Sequence, residues 1–378
     1  MIVTGEASAD RYGARLVTAL HSIHGQDGIE FYGTGGDEMQ KAGVHLLRHI
    51  RELAHIGPRE AFTGLLTYRR TFKDLVKAST KRPPKVAILM DFPEFNLRLA
   101  KKMKRLGIRV VYYIGPQIWA WRGGRIRTIR KYVDKMLVIL PFEEKYYRRR
   151  GVEVEFVGHP LLESFEPNCN RELFLRGLNL DPTRKTIAIL AGSRHKEIDY
   201  ILPTLIEAAR HLLREVSAQF VISSAPTIEV QHIRTLTDKM LQGNSDRDRF
   251  RVSELDSRDI LANSDFAFVK SGTSCLEAAL VGVPFLITYK ISHLSWFVGS
   301  LLIRSPMKGL VNLIAEEQVV PEIFQSEATP RNLARVALDY LEQPERSAGL
   351  RSQLAGIKEK LSARLASETV AARISHYL

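Results

Sequence analysis

Leu190-Ala191-Gly192-Ser193-Arg194-His195-Lys196-Glu197-Ile198 is the stretch that decides the fold. Ahead of it, Thr186 to Leu190 is a short unbroken apolar run, the mark of a strand buried on both faces in a parallel sheet. After it, Ile201, Leu205, Ala208, Ala209 and Leu212 recur at helical spacing. Strand, Gly-Ser turn, helix is how an open α/β sheet offers backbone N–H groups and a helix N-terminus to an anion. Arg194 adds a planar, permanently charged donor suited to phosphate oxygens. An ordinary βα turn carrying a solvent-facing arginine reads the same way, so a second site must choose.

That second site is Val269-Lys270-Ser271-Gly272-Thr273-Ser274-Cys275-Leu276-Glu277. It follows an apolar strand, Phe266 to Val269, and opens the helical run Leu276-Ala278-Ala279-Leu280. Small hydroxyl residues around a glycine let a phosphate sit close to the helix N-terminus. Glu277 falls one turn into that helix, where a carboxylate accepts hydrogen bonds from paired sugar hydroxyls; a dipole-favoured first-turn glutamate is the plainer alternative. Two such turns, one with arginine and one with Ser-Gly-Thr plus glutamate, point to a nucleotide-sugar diphosphate.

A chain of 378 residues, 45% of them hydrophobic, is long enough for two domains that each bury a core. Its two cysteines, Cys169 and Cys275, make no disulfide framework and no metal-like spacing, which fits a reducing cytoplasm. No signal peptide is read in Met1-Ile2-Val3-Thr4, and Val281–Tyr289 and Leu294–Ile303 are too short to span a bilayer. Charge is unevenly placed. Residues 101–150 hold 15 Lys and Arg against 3 Asp and Glu, a surplus of 12 out of a net +13. Such a face suits an anionic membrane or a phosphorylated substrate, or is simply a solvated basic helix. No nucleic-acid-binding motif accompanies it.

In chain order, Ile2-Val3-Thr4 is a strand shorter than most, followed by Gly5-Glu6-Ala7-Ser8-Ala9-Asp10 turning into a helix. Glu30-Phe31-Tyr32 leads to Gly33-Thr34-Gly35-Gly36. Residues 58–78 start at Pro58 and mix Phe62, Leu65, Leu66, Tyr68, Phe72, Leu75 and Val76 with Arg69, Arg70 and Lys73. That is a core-packed helix with snorkelling edges or a membrane-surface element. Val86 to Met90 is a buried strand ending in Asp91-Phe92-Pro93-Glu94-Phe95-Asn96. A carboxylate there lies where α/β proteins bind ligands, although Asp91 also suits a helix N-cap. Val110 to Ile114 is the next strand, then Gly115-Pro116-Gln117-Ile118-Trp119-Ala120-Trp121, then a basic helix with Arg122, Arg125, Arg127, Arg130 and Lys131 largely outward. Residues 163–182 read as a linker, and strands at 186–190, 219–223, 250–252, 266–269 and 284–289 alternate with helices beyond it. Asp246 and Asp248 sit in so hydrophilic a loop that they read as solvated, not metal-binding. The expected divisions are 1–165, 166–350 and a helical segment 351–378 whose Leu354, Ile357, Leu361, Leu365, Ala372 and Leu378 pack on an apolar surface.

The ordered set of these pieces resembles the lipid-A-disaccharide synthases over nearly the whole chain. It comprises Gly5-Glu6-Ala7-Ser8-x-Asp10, Gly33-Thr34-Gly35-Gly36 with Met39, Asp91 to Asn96, Pro116 to Trp121 and Val157-Gly158-His159-Pro160. It continues with Gly192-Ser193-Arg194, Ser271-Gly272-Thr273 with Glu277, and Asn312-Leu313 before Val320-Pro321-Glu322 and Gln325. Ala9 stands where that pattern has glycine, and Ala191 and Val311 where it has proline. The resemblance implies an α/β fold of GT-B type, two Rossmann-like domains facing across a cleft. It implies an inverting glycosyltransferase that joins UDP-2,3-diacylglucosamine to 2,3-diacylglucosamine 1-phosphate (lipid X) and releases UDP. The base role falls on Asp91, leaving-group stabilisation on Arg194 with Gly192, Ser193, Ser271, Gly272 and Thr273, and ribose binding on Glu277. Asn312 and Gln325 join the nucleotide-sugar side; Glu6, Ser8, Asp10, Asn96, Gln117 and Trp119 join the acceptor side. The resemblance implies no cofactor and no metal, an anionic membrane surface as partner, no nucleic acid, and a homodimer among the assemblies to test. It also implies a cytoplasmic protein held peripherally on the inner membrane. Two rivals remain: a UDP-N-acetylglucosamine 2-epimerase-like isomerase on the same architecture, and a non-catalytic basic membrane binder.

Overall fold

The computed structural model of the chain describes residues 1–54, 61–119, 123–164, 166–290, 307, 309–361 and 365–378. They form two compact units, Met1–Ser164 with Leu361–Leu378, and Phe165–Lys360. The expected 351–378 segment is therefore divided between them. Pro58, Ala120, Trp121, Arg122 and Leu294–Ile303 lie outside the described residues, as do the side chains of Phe62 and Leu65.

The first unit holds a seven-stranded parallel sheet. Its strands are β1 (Ile2–Val3), β2 (Phe31–Gly35), β3 (Val44–His49), β4 (Val86–Met90), β5 (Arg109–Tyr113), β6 (Lys135–Val138) and β7 (Val154–Phe156). They are ordered β3-β2-β1-β4-β5-β6-β7, so β1 pairs with both β2 and β4 and the winding reverses between β1 and β4. Alternate strand residues go to opposite faces. Val3, Leu89, Val110, Tyr112 and Met136 fall in one buried cluster; Ile2, Ile88, Met90, Val111, Tyr113 and Leu137 fall in the other. The helix Ala61–Lys81 contributes Leu75, Tyr68, Phe72 and Val76 to the first cluster, as core packing requires. The last helix, Ala366–Ser375, lays Val370, Ala371 and Ile374 into the second, against Leu16, Val17 and Leu20 of the helix Ala7–His24. Leu365 and Ala372, expected to pack, are exposed. Ala9 needs no special turn, because it is the third residue of that first helix and fully buried.

The second unit repeats the plan with six strands: β8 (Lys185–Leu190), β9 (Ala218–Ser223), β10 (Phe250–Ser253), β11 (Phe266–Lys270), β12 (Phe285–Tyr289) and β13 (Glu322–Phe324). Their order, β10-β9-β8-β11-β12-β13, again reverses at the centre, between β8 and β11. Both sheets thus follow the 3-2-1-4-5-6 winding of dinucleotide-binding folds, in which ligands meet the carboxyl ends of the strands at the reversal. All but the first two residues of the segment read as a linker are instead part of this unit. Arg171, opening the helix Arg171–Gly177, donates to the carbonyls of Asn263, Pro182 and Arg184 and to the Asp265 carboxylate.

Candidate active site

The turns that leave the two central strands of each sheet carry half of the site residues singled out above. In the first unit these turns are Thr4-Gly5-Glu6 after β1 and Asp91-Phe92 after β4. Asp91 and Phe92 both adopt left-handed backbone, φ 46° and 50°, as does Ile114 (φ 61°) beyond β5. Each such residue without a glycine's freedom costs about 1–3 kcal/mol, so the surroundings must hold it. They do so through the Asp91 carbonyl, which accepts from the Tyr112 hydroxyl at 2.6 Å and from the fully buried Asn96 amide at 2.8 Å. The Phe92 ring is wedged over Gly5, where any Cβ would meet ring carbons at 2.5–2.8 Å; it stacks on Phe95 and meets Tyr68 at a tilt.

This scaffold presses the Asp91 carboxyl into a poorly hydrated place. Burial first, and then the hydrogen-bonded Glu6 carboxylate beside it, push its pKa up to about 6. A carboxyl poised there takes a proton from a hydroxyl at neutral pH and is not left fully protonated itself. Glu6 is exposed and precedes the helix Ala7–His24 as its cap residue; Ser8 is half-buried in its first turn.

The other acceptor-side residues divide sharply. Asp10 is buried, and its carboxylate accepts from the backbone N–H of Gly36 (2.6 Å), Met39 (3.1 Å) and Glu38 (3.2 Å), capping the helix Asp37–Lys41. Gln117 is exposed. Trp119 donates its indole N–H to Glu143 at 3.0 Å and meets Phe142 edge to face. Glu143 is sealed from solvent, which raises its carboxyl to about 8 and keeps it protonated at neutral pH. Sequence reasoning did not single it out. Arg125, expected on the outside of the basic helix, is only 13% exposed and pairs with Glu94. Other cations of the basic window also find acids: Lys104 pairs with Asp134, and Lys135 with Glu153 and Glu155. Arg127, Arg130 and Lys131 remain exposed.

In the second unit the turns after β8 and β11 are Ala191 to Arg194 and Ser271 to Thr273, each opening a helix, His195–Leu212 and Ser274–Val281. The first N–H groups of any helix lack intrahelical partners, so both turns present donors. Gly192 takes φ 129°, and a Cβ on it would lie 2.7 Å from Glu197 Oε2, so only glycine fits. Glu197, one turn into its helix, is buried; it accepts from Arg194 at 3.2 Å and pairs with Lys270, at the end of β11, at 3.0 Å. Arg194 itself is 77% exposed. Glu277 accepts from the Ser257 hydroxyl at 2.9 Å. Gln325 follows β13 with φ 51°, its N–H donating to the Tyr289 carbonyl. Asn312 is fully buried and structural: it donates to the Val320 carbonyl and to Glu322, and accepts from the Val319 and Val320 N–H groups. Glu197 and Lys270 stood inside the quoted stretches without an assigned role. Their signal was a charged residue placed where the apolar pattern demands burial.

Known proteins share this chain's sequence pattern and fold. A family model described as lipid-A-disaccharide synthetase matches residues 1–373. The lipid-A-disaccharide synthase of Syntrophus aciditrophicus is 40% identical over 372 residues, covering 98% of this chain and 95% of that protein. Among solved structures, the UDP-GlcNAc 2-epimerase of Neisseria meningitidis bound to UDP-GlcNAc aligns with a TM-score of 0.67 at 11% identity, covering 99% of both chains. The calicheamicin glycosyltransferase CalG4 aligns with a TM-score of 0.60 at 13% identity, over 100% of this chain and 96% of its own. A transferase and an epimerase on one framework show that the fold alone does not choose the reaction.

Proposed function

The chain belongs to the lipid-A-disaccharide synthetase family and is a glycosyltransferase of lipid A disaccharide formation, acting on a UDP-sugar and a lipid acceptor; from that premise we propose that Asp91 is its general base and Arg194 its diphosphate anchor. The donor in this reading is UDP-2,3-diacylglucosamine and the acceptor 2,3-diacylglucosamine 1-phosphate. The acceptor 6-hydroxyl oxygen attacks the anomeric carbon of the donor while its proton passes to the Asp91 carboxylate. The bond from that carbon to the diphosphate oxygen breaks, and UDP leaves with the electron pair. Arg194 and the backbone donors of the Gly192-Ser193 and Ser271-Gly272-Thr273 turns neutralise the departing charge. Glu277 receives the ribose hydroxyls, and one displacement inverts the anomeric configuration from α to β.

The observation that carries this reading is Asp91 at the reversal point of its sheet, its backbone left-handed and its half-buried carboxyl raised to about 6. The test is UDP release on mixing the protein with both acylated substrates. Release that needs both substrates and disappears in Asp91→Asn supports it; release unchanged in Asp91→Asn removes Asp91 from the role. UDP-N-acetylglucosamine alone should yield no epimer.

Both substrates carry acyl chains, so the enzyme collects them at a membrane surface, in this reading the cytoplasmic face of the inner membrane. Among the described residues no helix is long and apolar enough to cross a membrane. Attachment is assigned to exposed Leu66, Arg69, Arg70 and Lys73 of the helix Ala61–Lys81, together with Arg127, Arg130 and Lys131.

A further inference from the structure

Glu197 is a single buried carboxylate answering to two cations, and the arrangement is not symmetrical. Its Oε1 is shared by Arg194 at 3.2 Å and the Lys270 ammonium at 3.0 Å; its Oε2 receives the Ser193 N–H at 3.4 Å and fills the space beside Gly192. Arg194 stands mostly in solvent, whereas Lys270 is 17% exposed. The Lys270 ammonium lies 5.2 Å from the centre of the Tyr289 ring and 3.6 Å from where a Cβ on Gly272 would stand, beneath the second phosphate-type turn. The charged and titratable groups facing Glu197 are thus Arg194 from its own turn, Lys270 from β11 and Tyr289 from β12.

A nucleotide diphosphate that recruits Arg194 takes it away from Glu197. The carboxylate would then be buried, short of a cation and next to an incoming anion, an arrangement that disfavours binding strongly. We infer that Lys270 is a positioning residue for the diphosphate site: it keeps hold of Glu197 when Arg194 turns to the ligand, so that the arginine can be given up without stranding a buried charge. The inference rests on the reading of Arg194 as diphosphate anchor. It gives Lys270 no contact with the substrate, and it explains why a lysine ends an otherwise apolar strand.

The experiment is calorimetry with UDP at pH 7.5 on full-length wild type, Lys270→Met, Lys270→Arg and Lys270→Met/Glu197→Gln. Melting curves confirm that each variant is folded. Lys270→Arg should bind UDP near wild type. In Lys270→Met the buried Glu197 carboxylate loses its remaining cation once Arg194 turns to UDP, so affinity should fall about tenfold or more. Removing the carboxylate in the double variant should recover most of that loss. Unaltered binding by Lys270→Met overturns the inference. A loss of affinity equal in the double variant also overturns it and makes Lys270 a direct phosphate contact. Wild type that fails to bind UDP, with Arg194→Ala no different, overturns the reading of Arg194 itself.

Discussion

The two units wind their sheets in the same order yet arm the reversal point with opposite charge. After β1 and β4 stand two carboxyls, Glu6 and Asp91, hydrogen-bonded to each other, and the backbone there is strained. After β8 stands Arg194 and at the end of β11 stands Lys270, two cations sharing one carboxylate, and the turns are relaxed by glycine. One framework therefore supplies a place that raises a proton affinity and a place that gathers positive charge. The sign is set by which side chains the strand ends carry, not by the topology. Transfer of a sugar from a diphosphate to a hydroxyl needs both.

The sharpest way to break this contrast is Asp91→Asn, since asparagine tolerates the left-handed backbone but takes no proton. Turnover should fall roughly 10²–10⁴-fold while UDP affinity stays near wild type. The same change should raise the melting temperature at pH 7.5. The folded carboxyl binds its proton more tightly than the ordinary 3.8, so its ionisation costs stability as pH rises from about 4 through about 6. The gain should vanish near pH 4, and an equal gain there would contradict it. Glu143→Gln asks whether the first unit hides a second such carboxyl. The window runs from the ordinary 4.5 to about 8, so the variant should be stabler by a few kcal/mol in thermal melts at pH 8–9 and indistinguishable near pH 4. Arg194→Ala probes the cationic unit: loss of a charged hydrogen bond of about 1.5–3 kcal/mol predicts a roughly 10–100-fold weaker UDP affinity by calorimetry, with slower turnover. Residue for residue, the smallest effect is expected at the membrane. Reversing Arg127, Arg130 and Lys131 to glutamate should remove the salt-sensitive part of co-sedimentation with anionic vesicles, at about 1 kcal/mol per residue. Arg125 is a poor choice there, because Glu94 already holds it.

The buried strands were legible because a strand covered on both faces reads as an unbroken apolar run; Thr186–Leu190 was placed within one residue of β8. The turns after them were legible from glycine and hydroxyl residues. What the sequence does not print is the partner of a polar side chain. Asp10, Asn96 and Asn312 were given to ligands by the resemblance, and in the structure Asp10 caps a helix, Asn96 holds the Asp91 carbonyl, and Asn312 ties down Val319 and Val320. Glu94 lies 31 residues from Arg125, and Asp265 lies 94 from Arg171, so neither pair leaves a local pattern. The polar stretch at 163–182 misled for the same reason, since its helix is fixed by distant carbonyls.

The last helix gives the chain an order of assembly. Val370, Ala371 and Ile374 close a core whose other walls, Ile2, Leu16 and Leu20, leave the ribosome first. Between them the whole second unit, Phe165–Lys360, must be made. At about 5–20 residues per second that is an interval of roughly 10–40 s in which the first helix waits with an uncovered apolar flank. The first half of the protein is thus born early and finished late, and its exposure to chaperones and proteases is set by the length of the half in between.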